Sequence, residues 1–182
     1  LGDVYKRQSK DGVIWADYEC TFPELSQNTT LYGHNWHNIY TPRTQANMQA
    51  NDLMFSLVMS YNYTDFAQEN PFVYFSTTEQ DYVFQVFASY YTDLNFGYNY
   101  AQMSQEDFQK VIAEAKAKSL SNYNVPVTSE DKIVTLSTCT RVHGNTNNQR
   151  FVVMAKLVPV GTPSTTISTH SNPIAYNSSI DA

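Results

Sequence analysis

The sequence contains only two cysteines in 182 residues, Cys20 and Cys139, and this scarcity excludes several classes of protein. Two cysteines are too few for a disulfide-dense secreted scaffold, although one bridge between them remains an alternative. Their spacing matches no zinc pattern, and no cluster of His, Cys, Asp and Glu has the spacing of metal ligands. We therefore expect neither a metal nor a cofactor.

Long apolar runs and basic residues are also scarce. No apolar run reaches the roughly 18 to 20 residues needed to cross a bilayer, so membrane attachment would need an anchor absent from this chain. Lys and Arg number 11 against 17 Asp and Glu, which gives a formal net charge of −6. A nucleic-acid partner would require a basic face, so the charge argues against one.

Aromatic residues, in contrast, are plentiful. With 14 Tyr and 10 Phe, the chain has enough large side chains to build a core, and its 182 residues suit a single domain. Strand patterns outnumber helix patterns, and the helices interrupt the strands rather than alternate with them. These features predict a mainly β fold with helical insertions, either a β-barrel or a mixed sheet.

Hydrophobic periodicity locates the individual elements. Apolar residues over 45–61 fall mostly on one helical stripe, which predicts a helix. A second helix is predicted after Ser104, a capping residue, with its apolar stripe at positions 108, 111, 112 and 115. Alternating or β-branched runs predict strands over residues 13–18, 30–34, 71–75, 82–88 and 133–139, and another that starts at Arg150.

The predicted strand 133–139 organises the rest of the chain because it ends on Cys139, beside the polar, turn-prone segment 140–149. A thiol in such a place can act as a nucleophile, provided that a base or a cation favours the thiolate. A buried structural cysteine is the alternative, since free cysteine is among the most buried residue types. The polar neighbours Ser137 and Thr138 and the hydrophilic loop favour the nucleophile.

A candidate base lies at the end of another predicted strand. His34 follows Gly33 at the end of the run 30–34 and precedes Asn35, which makes it the strongest of the four histidines. The alternatives are His37, His143 and His170.

A candidate cation opens the strand that follows the polar loop. Arg150 can donate hydrogen bonds to a developing oxyanion or hold the carbonyl groups of a substrate. Arg141 is the competitor, because a residue two positions after Cys139 points to the same face of an extended backbone.

Composition divides the chain into three parts. Residues 4–8 resemble translated adapter sequence, so residues 1–10 are expected to be a non-native or disordered remnant. Residues 11–160 contain the candidate site and are expected to form the catalytic domain. Residues 161–182 are rich in Ser, Thr and Asn and are expected to form a polar C-terminal tail.

Taken together, these segments resemble the signatures of the sortases, the transpeptidases of Gram-positive cell surfaces. TLSTC at 135–139 is similar to the TLxTC signature of that family, and LYGHN at 31–35 is similar to the segment around its catalytic histidine. RFVV at 150–153 is similar to the strand that opens on its catalytic arginine. The long helix at 108–118 resembles class B in particular. The resemblance covers roughly residues 11–159.

The resemblance implies a sortase-like closed β-barrel with helical insertions and a groove that ends at Cys139. No counterpart of the family's N-terminal helices and first strands precedes Gly12, so a truncated N-terminus remains open. The expected site residues are, for catalysis, Cys139, His34 and Arg150 and, for substrate binding, Ser137, Thr138 and Asn35.

The implied reaction is transpeptidation. The Cys139 thiolate would attack the Thr carbonyl of a C-terminal sorting signal, NPQTN-like or NPxTG-like, on a secreted protein, and an amine of a peptidoglycan precursor would release the acyl enzyme. The implied location is the extracellular face of the membrane or the cell wall of a Gram-positive bacterium. Two alternatives stay open, a cysteine peptidase that hydrolyses the same signal and an inactive domain that only binds it.

Overall fold

The computed structural model describes residues 11–176 and is built around one six-stranded sheet. The strands are β1 (Trp15–Ala16), β2 (Asn28–Tyr32), β3 (Phe72–Ser76), β4 (Asp81–Asp93), β5 (Ser121–Tyr123), β6 (Ile133–Cys139), β7 (Gln149–Val158) and β8 (Ile167–Thr169). The α-helices are α1 (Thr64–Glu69) and α2 (Gln105–Lys118), and 3-10 helices span Gln45–Asn47 and Ser56–Asn62. The large sheet has the order β1-β2-β6-β7-β4-β3, while β5 and β8 form a separate pair.

The centre of the sheet positions the candidate site. Strands β2 and β6 are parallel neighbours, so their carboxyl ends meet at one edge of the sheet. Strand β7 runs antiparallel to β6 and begins at that same edge, with Arg150 directly opposite Cys139. Strand β6 is buried along nearly its whole length, and four of its seven residues are β-branched, as suits a buried strand. Its bounds match the predicted strand 133–139.

The mainly β fold with helical insertions is confirmed, and the sheet curls into a half-barrel. Strand β4 is 13 residues long, and its register with β7 shifts between Val86 and Ala88, an irregularity of the kind that bends a strand. Within residues 11–176, the edge strands β1 and β3 do not pair with each other. Between them lies an apolar groove of about 450 Å³, whose floor includes Leu31, Phe55 and Leu136.

Helix α2 packs against the sheet with the apolar stripe that the sequence predicts. Phe108, Ile112 and Ala115 are almost completely buried in the core. The hydroxyl of Ser104 accepts a hydrogen bond from the Asp107 amide at 3.1 Å, as expected of an N-cap residue. The helix therefore begins where the capping signal predicts.

The predicted helix over 45–61 is wrong, because this segment forms two short 3-10 helices separated by a turn. The Asp52 side chain accepts from the Gln49 amide at 2.8 Å, a donor that an α-helix over 45–61 would direct to the carbonyl four residues earlier. The Asn47 side chain accepts from the Thr44 amide at 2.7 Å and so caps only the first 3-10 helix. Met54 then adopts a φ of 54°, which no α-helix tolerates.

The other differences concern the limits of strands. The predicted strand 13–18 shrinks to Trp15–Ala16, and the strand predicted over 30–34 spans Asn28–Tyr32, which leaves His34 just beyond its end. The strands predicted over 71–75 and 82–88 are found, the second extended to Asp93. Strand β8 lies within the segment expected to be a polar tail. The expectation for residues 1–10 lies outside the described residues.

Candidate functional site

A pocket of about 380 Å³ opens at the edge of the sheet where β2 and β6 end. It brings His34 together with Cys139 and Arg150, which lie more than 100 positions later in the sequence. The rest of its lining comprises Trp15, Tyr32, Gly33, Leu94, Phe96, Tyr98, Asn99, Ser137 and Thr138. A thiol, an imidazole and a guanidinium therefore share one cavity with a largely apolar wall.

The thiol of Cys139 is presented to solvent by a rigidly held strand end. Cys139 is exposed and is the last residue of β6, whereas the six residues before it are buried. The Asn35 side-chain amide donates a hydrogen bond to the Cys139 carbonyl at 3.1 Å, and the Thr138 hydroxyl donates to the Gly33 carbonyl at 2.7 Å. These two bonds link the chain around the thiol to the chain around His34.

The imidazole of His34 contacts two indole rings. The ring centroids of Trp15 and Trp36 are 5.6 Å and 5.4 Å from that of His34. Gly12 approaches so closely that a Cβ atom there would lie 2.6 Å from His34 Cδ2. The His34 carbonyl also accepts from the Phe55 amide at 2.9 Å. The orientation of this exposed ring is therefore set by close neighbours.

The guanidinium of Arg150 is anchored by the loop that precedes it. Its Nη1 donates to the carbonyl oxygens of Asn147 at 3.0 Å and Gln149 at 2.8 Å. Both bonds use the same nitrogen, so the remaining donors of the fork can serve a bound molecule. The side chain faces the pocket that holds the thiol.

The competing cation, Arg141, lies outside the lining of this pocket. Its Nη2 donates to the Asn147 side-chain oxygen at 2.9 Å, and its Nη1 is 3.4 Å from the Tyr40 hydroxyl. Its backbone amide donates to the Ile39 carbonyl at 2.7 Å. Arg141 therefore holds the surface loop together, and the geometry favours Arg150 as the cation of the site.

The alternative histidines also lie elsewhere. His37 lines a neighbouring surface cavity with Trp36, and the His170 ring bonds the Ser119 carbonyl at 2.7 Å. His143 stacks on Tyr176 with a centroid distance of 4.4 Å and an interplanar angle of 7°. Only His34, of the four, lines the pocket with Cys139.

The three residues expected to bind substrate have different positions. Ser137 and Thr138 line the pocket, but both are buried and their hydroxyls are engaged, that of Ser137 with the Tyr98 hydroxyl at 2.8 Å. Asn35 is buried beneath the Cys139 carbonyl, outside the pocket lining. The geometry thus gives Thr138 and Asn35 a role in holding the strand ends together.

The sequence pattern does not predict the segment 94–99, which supplies four of the lining residues. These residues, Leu94, Phe96, Tyr98 and Asn99, follow β4 without any periodicity, so the pattern gave no element for them. The sequence signal that could have identified them is composition, because aromatic residues flank a glycine in a short loop. Burial raises the pKa of the Tyr98 phenol, so it remains a neutral hydrogen-bonding group beside the site.

The structure also tests for a disulfide, a metal site and a membrane-spanning helix. Both cysteines are free thiols, so the alternative of a bridge between Cys20 and Cys139 is wrong. Among residues 11–176, no group of three or more His, Cys, Asp and Glu side chains is arranged to hold a metal ion. No helix in this described part of the chain is long and apolar enough to cross a membrane.

The stacked His143 gives the stability a predictable dependence on pH. Desolvation lowers the pKa of His143, so the unfolded chain binds this proton more tightly than the folded chain does. Its contribution to stability is therefore complete above the unfolded pKa of about 6.5 and is lost as the pH falls below that value. We expect a small decrease in the thermal midpoint on acidification, because His143 is exposed on one side.

The matched variant is His143→Phe, which keeps a ring against Tyr176 but cannot titrate. Thermal melts followed by circular dichroism between about pH 8 and pH 5 should show a shallower decrease for the variant than for the wild type. Equal slopes in the two proteins would contradict the assignment to His143.

This chain is similar to known proteins in both sequence and structure. A family model described as "Sortase domain" matches residues 2–158. Sortase B of Staphylococcus aureus is 30% identical over 159 residues, which are 87% of this chain and 59% of that protein. Sortase B of Listeria monocytogenes is 30% identical over 156 residues, 85% of this chain and 58% of that protein. The chain thus spans about three fifths of the length of these curated relatives.

A solved structure described as a Staphylococcus aureus sortase B-substrate complex superposes on this structure with a TM-score of 0.71. The two chains are 29% identical, and the match covers 88% of this chain and 68% of that one. The sequence match and the structural match therefore agree over most of the described residues. On this evidence, the chain belongs to the sortase family.

Proposed function

We propose that this protein is a cysteine transpeptidase of the sortase B type that acts on secreted proteins carrying a C-terminal sorting signal. The observation that carries the proposal is the pocket that gathers the thiol of Cys139, the imidazole of His34 and the guanidinium of Arg150. A nucleophile, a proton carrier and a donor for a developing oxyanion are the groups that acyl transfer to a thiol requires.

The first half of the proposed reaction forms a thioester. The Cys139 thiolate attacks the carbonyl carbon of the Thr in the signal, and Arg150 donates hydrogen bonds to the oxygen that becomes negative. The C–N bond after Thr then breaks, and His34 supplies the proton that the departing amine needs. The acyl group remains on sulfur.

The second half transfers that acyl group to an amine. The nitrogen of the acceptor attacks the thioester carbonyl, His34 removes its proton, and the C–S bond breaks to return Cys139 as a thiolate. We propose that the acceptor is an amine of a peptidoglycan precursor, so the product is a surface protein joined to the cell wall. The place of action is then the outer face of the membrane of a Gram-positive bacterium.

The shape of the pocket supports an extended, partly apolar peptide as substrate. Trp15, Leu94, Phe96 and Tyr98 contribute apolar surface to the pocket that holds the thiol, and Leu94 is 59% exposed. In a signal of the NPQTN or NPxTG kind, the Pro ring can pack against this surface while the carbonyl groups of the peptide accept hydrogen bonds from Arg150.

Product analysis tests the proposal directly. The protein is incubated with NPQTN-type and LPxTG-type peptides, with and without hydroxylamine, and the products are identified by mass spectrometry. Transpeptidation gives a hydroxamate at the Thr carbonyl. Release of the free acid alone, even with the amine present, would favour a cysteine peptidase. A folded protein that binds the peptide but yields neither product would indicate an inactive peptide-binding domain.

The close contact between Gly12 and His34 leads to a further prediction. In Gly12→Ala, the new methyl group would meet the imidazole, and the residue would be strained at a φ of +78°. Because catalysis is sensitive to displacements of about 1 Å, we expect kcat to fall by roughly tenfold to a hundredfold.

Gly161→Ala is the matched control for this variant. Gly161 has a similar φ of +87°, but a Cβ atom there would meet nothing within 4 Å. The control should lose a comparable amount of stability and keep its turnover. Steady-state kinetics and urea unfolding of both variants separate the two effects. Equal turnover in the two variants would show that the contact with His34 is unimportant.

A further inference from the structure

The loop that joins β6 to β7 is long and exposed, yet it carries the anchor of Arg150. It comprises residues 140–148, and all of its residues from 143 to 148 are exposed. Hairpin loops usually have two to five residues, so a loop of this length needs internal bonds to keep one conformation. The Asn147 carbonyl, which holds the Arg150 guanidinium, belongs to it.

One buried side chain contributes three bonds that hold this loop. Gln149 is 1% exposed, and its Nε2 donates to the Gly144 carbonyl and to the Thr146 hydroxyl, both at 2.7 Å. Its Oε1 accepts from the His143 amide at 3.0 Å. The side-chain amide of Gln149 thus bonds three residues of the loop, His143, Gly144 and Thr146.

The backbone of the same residue completes the connection to the site. The Gln149 carbonyl accepts from Arg150 Nη1 at 2.8 Å, while its side chain fixes the loop that presents the second acceptor, Asn147. Both acceptors of Arg150 Nη1 therefore depend on the conformation around Gln149, and Asn147 is also held by Arg141 Nη2, which donates to its side-chain oxygen at 2.9 Å. If the loop relaxed, the guanidinium would keep one acceptor at most and would be free to leave the orientation that faces Cys139.

From these contacts we infer that Gln149 is the positioning residue for Arg150 in acyl transfer, an inference that rests on the proposed function. Gln149 does not touch the substrate in this arrangement, because its side chain lies under the loop and outside the lining of the pocket. It acts by holding the carbonyl groups that direct the guanidinium toward the thiol.

The test replaces Gln149 by methionine, which keeps the length of the side chain and removes its hydrogen bonds. Gln85→Met is the matched control, because Gln85 is also buried, at 4% exposure, and donates to a loop carbonyl, that of Pro163 at 3.2 Å. Gln85 lies on β4 beside Lys156, away from the pocket. Thr146→Val is a second variant, which removes one acceptor at an exposed position.

The activity readout is kcat/KM for amine transfer, measured in the wild-type and the Arg150→Ala backgrounds. We expect Gln149→Met to lose about tenfold in the wild-type background and almost nothing once Arg150 is absent. Gln85→Met should lose little in either background, and Thr146→Val should show a smaller loss with the same dependence on Arg150. An equal fold-loss in both backgrounds, or an equal loss in Gln85→Met, would overturn the inference.

Amide hydrogen exchange of residues 140–148 provides a readout that needs no activity. Exchange there should accelerate in Gln149→Met and stay unchanged in Gln85→Met. Unchanged exchange in Gln149→Met would overturn the inference whatever the kinetics show. An inactive wild type with the expected exchange pattern would instead contradict the proposed function and leave Gln149 as the residue that orders this loop.

Discussion

Replacing Cys139 by alanine is expected to abolish both cleavage of the sorting peptide and transfer to an amine. Without the thiol, no thioester can form, and the oxyanion donor and the base have no covalent intermediate to act on. Removal of a catalytic nucleophile costs more than about a thousandfold in kcat in enzymes that use covalent catalysis. The measurement is product formation by mass spectrometry, together with the intact mass of the protein to detect the acylated form.

The second cysteine of the chain is a natural control. Cys20 is half-buried, and burial raises the pKa of its thiol, which disfavours the thiolate. Cys20→Ala should therefore retain its activity and still form the acyl enzyme. Acylation that persists in Cys139→Ala and disappears in Cys20→Ala would reverse the assignment of the nucleophile.

Replacing Arg150 by alanine is expected to give the second largest loss. Arg150 lies directly opposite Cys139 on the neighbouring strand and lines the same pocket. Its guanidinium is therefore the charged donor positioned for the oxyanion. Removal of an oxyanion donor costs roughly a hundredfold to a thousandfold in kcat. Arg150→Lys should recover only part of this loss, because a lysine keeps the charge but lacks the planar fork that binds two acceptors at once.

Arg141→Ala separates this role from a general effect of positive charge. Arg141 lies in the same loop region but bonds Asn147 and Tyr40 at the surface. We expect its replacement to change kcat/KM by less than about tenfold, through the order of the loop alone. A larger loss in Arg141→Ala than in Arg150→Ala, measured with the same peptide and amine, would transfer the catalytic role to Arg141.

The extent to which the sequence anticipates the structure differs between elements for physical reasons. Strand β6 and helix α2 are predicted almost to the residue, because each has a strong local pattern that packing reinforces: a buried β-branched run in one, a capped apolar stripe in the other. The helix predicted over 45–61 is wrong because the Asp52 side chain takes up the Gln49 amide and Met54 adopts a positive φ, neither of which is visible in apolar periodicity.

The candidate site, like the fold, is only partly predictable from the sequence. Cys139, His34 and Arg150 can be proposed from the sequence because each combines a reactive group with the end of a strand. The wall formed by 94–99 cannot, because it is a loop whose position depends on where β4 ends and on which face of the sheet it crosses. The role of Gln149 cannot be predicted from the sequence for a related reason, because it depends on three hydrogen bonds made within one loop.

The parallel pairing of β2 with β6 has a consequence for how this protein folds. The hydrogen bond from Thr138 to the Gly33 carbonyl joins residues 105 positions apart, and every pair in the register of these strands has the same separation. Closing so long a loop is entropically costly and slow, and it must precede any meeting of the nucleophile with its base. In a refolding experiment, the return of thioester formation would therefore report the completion of the most non-local step of the sheet.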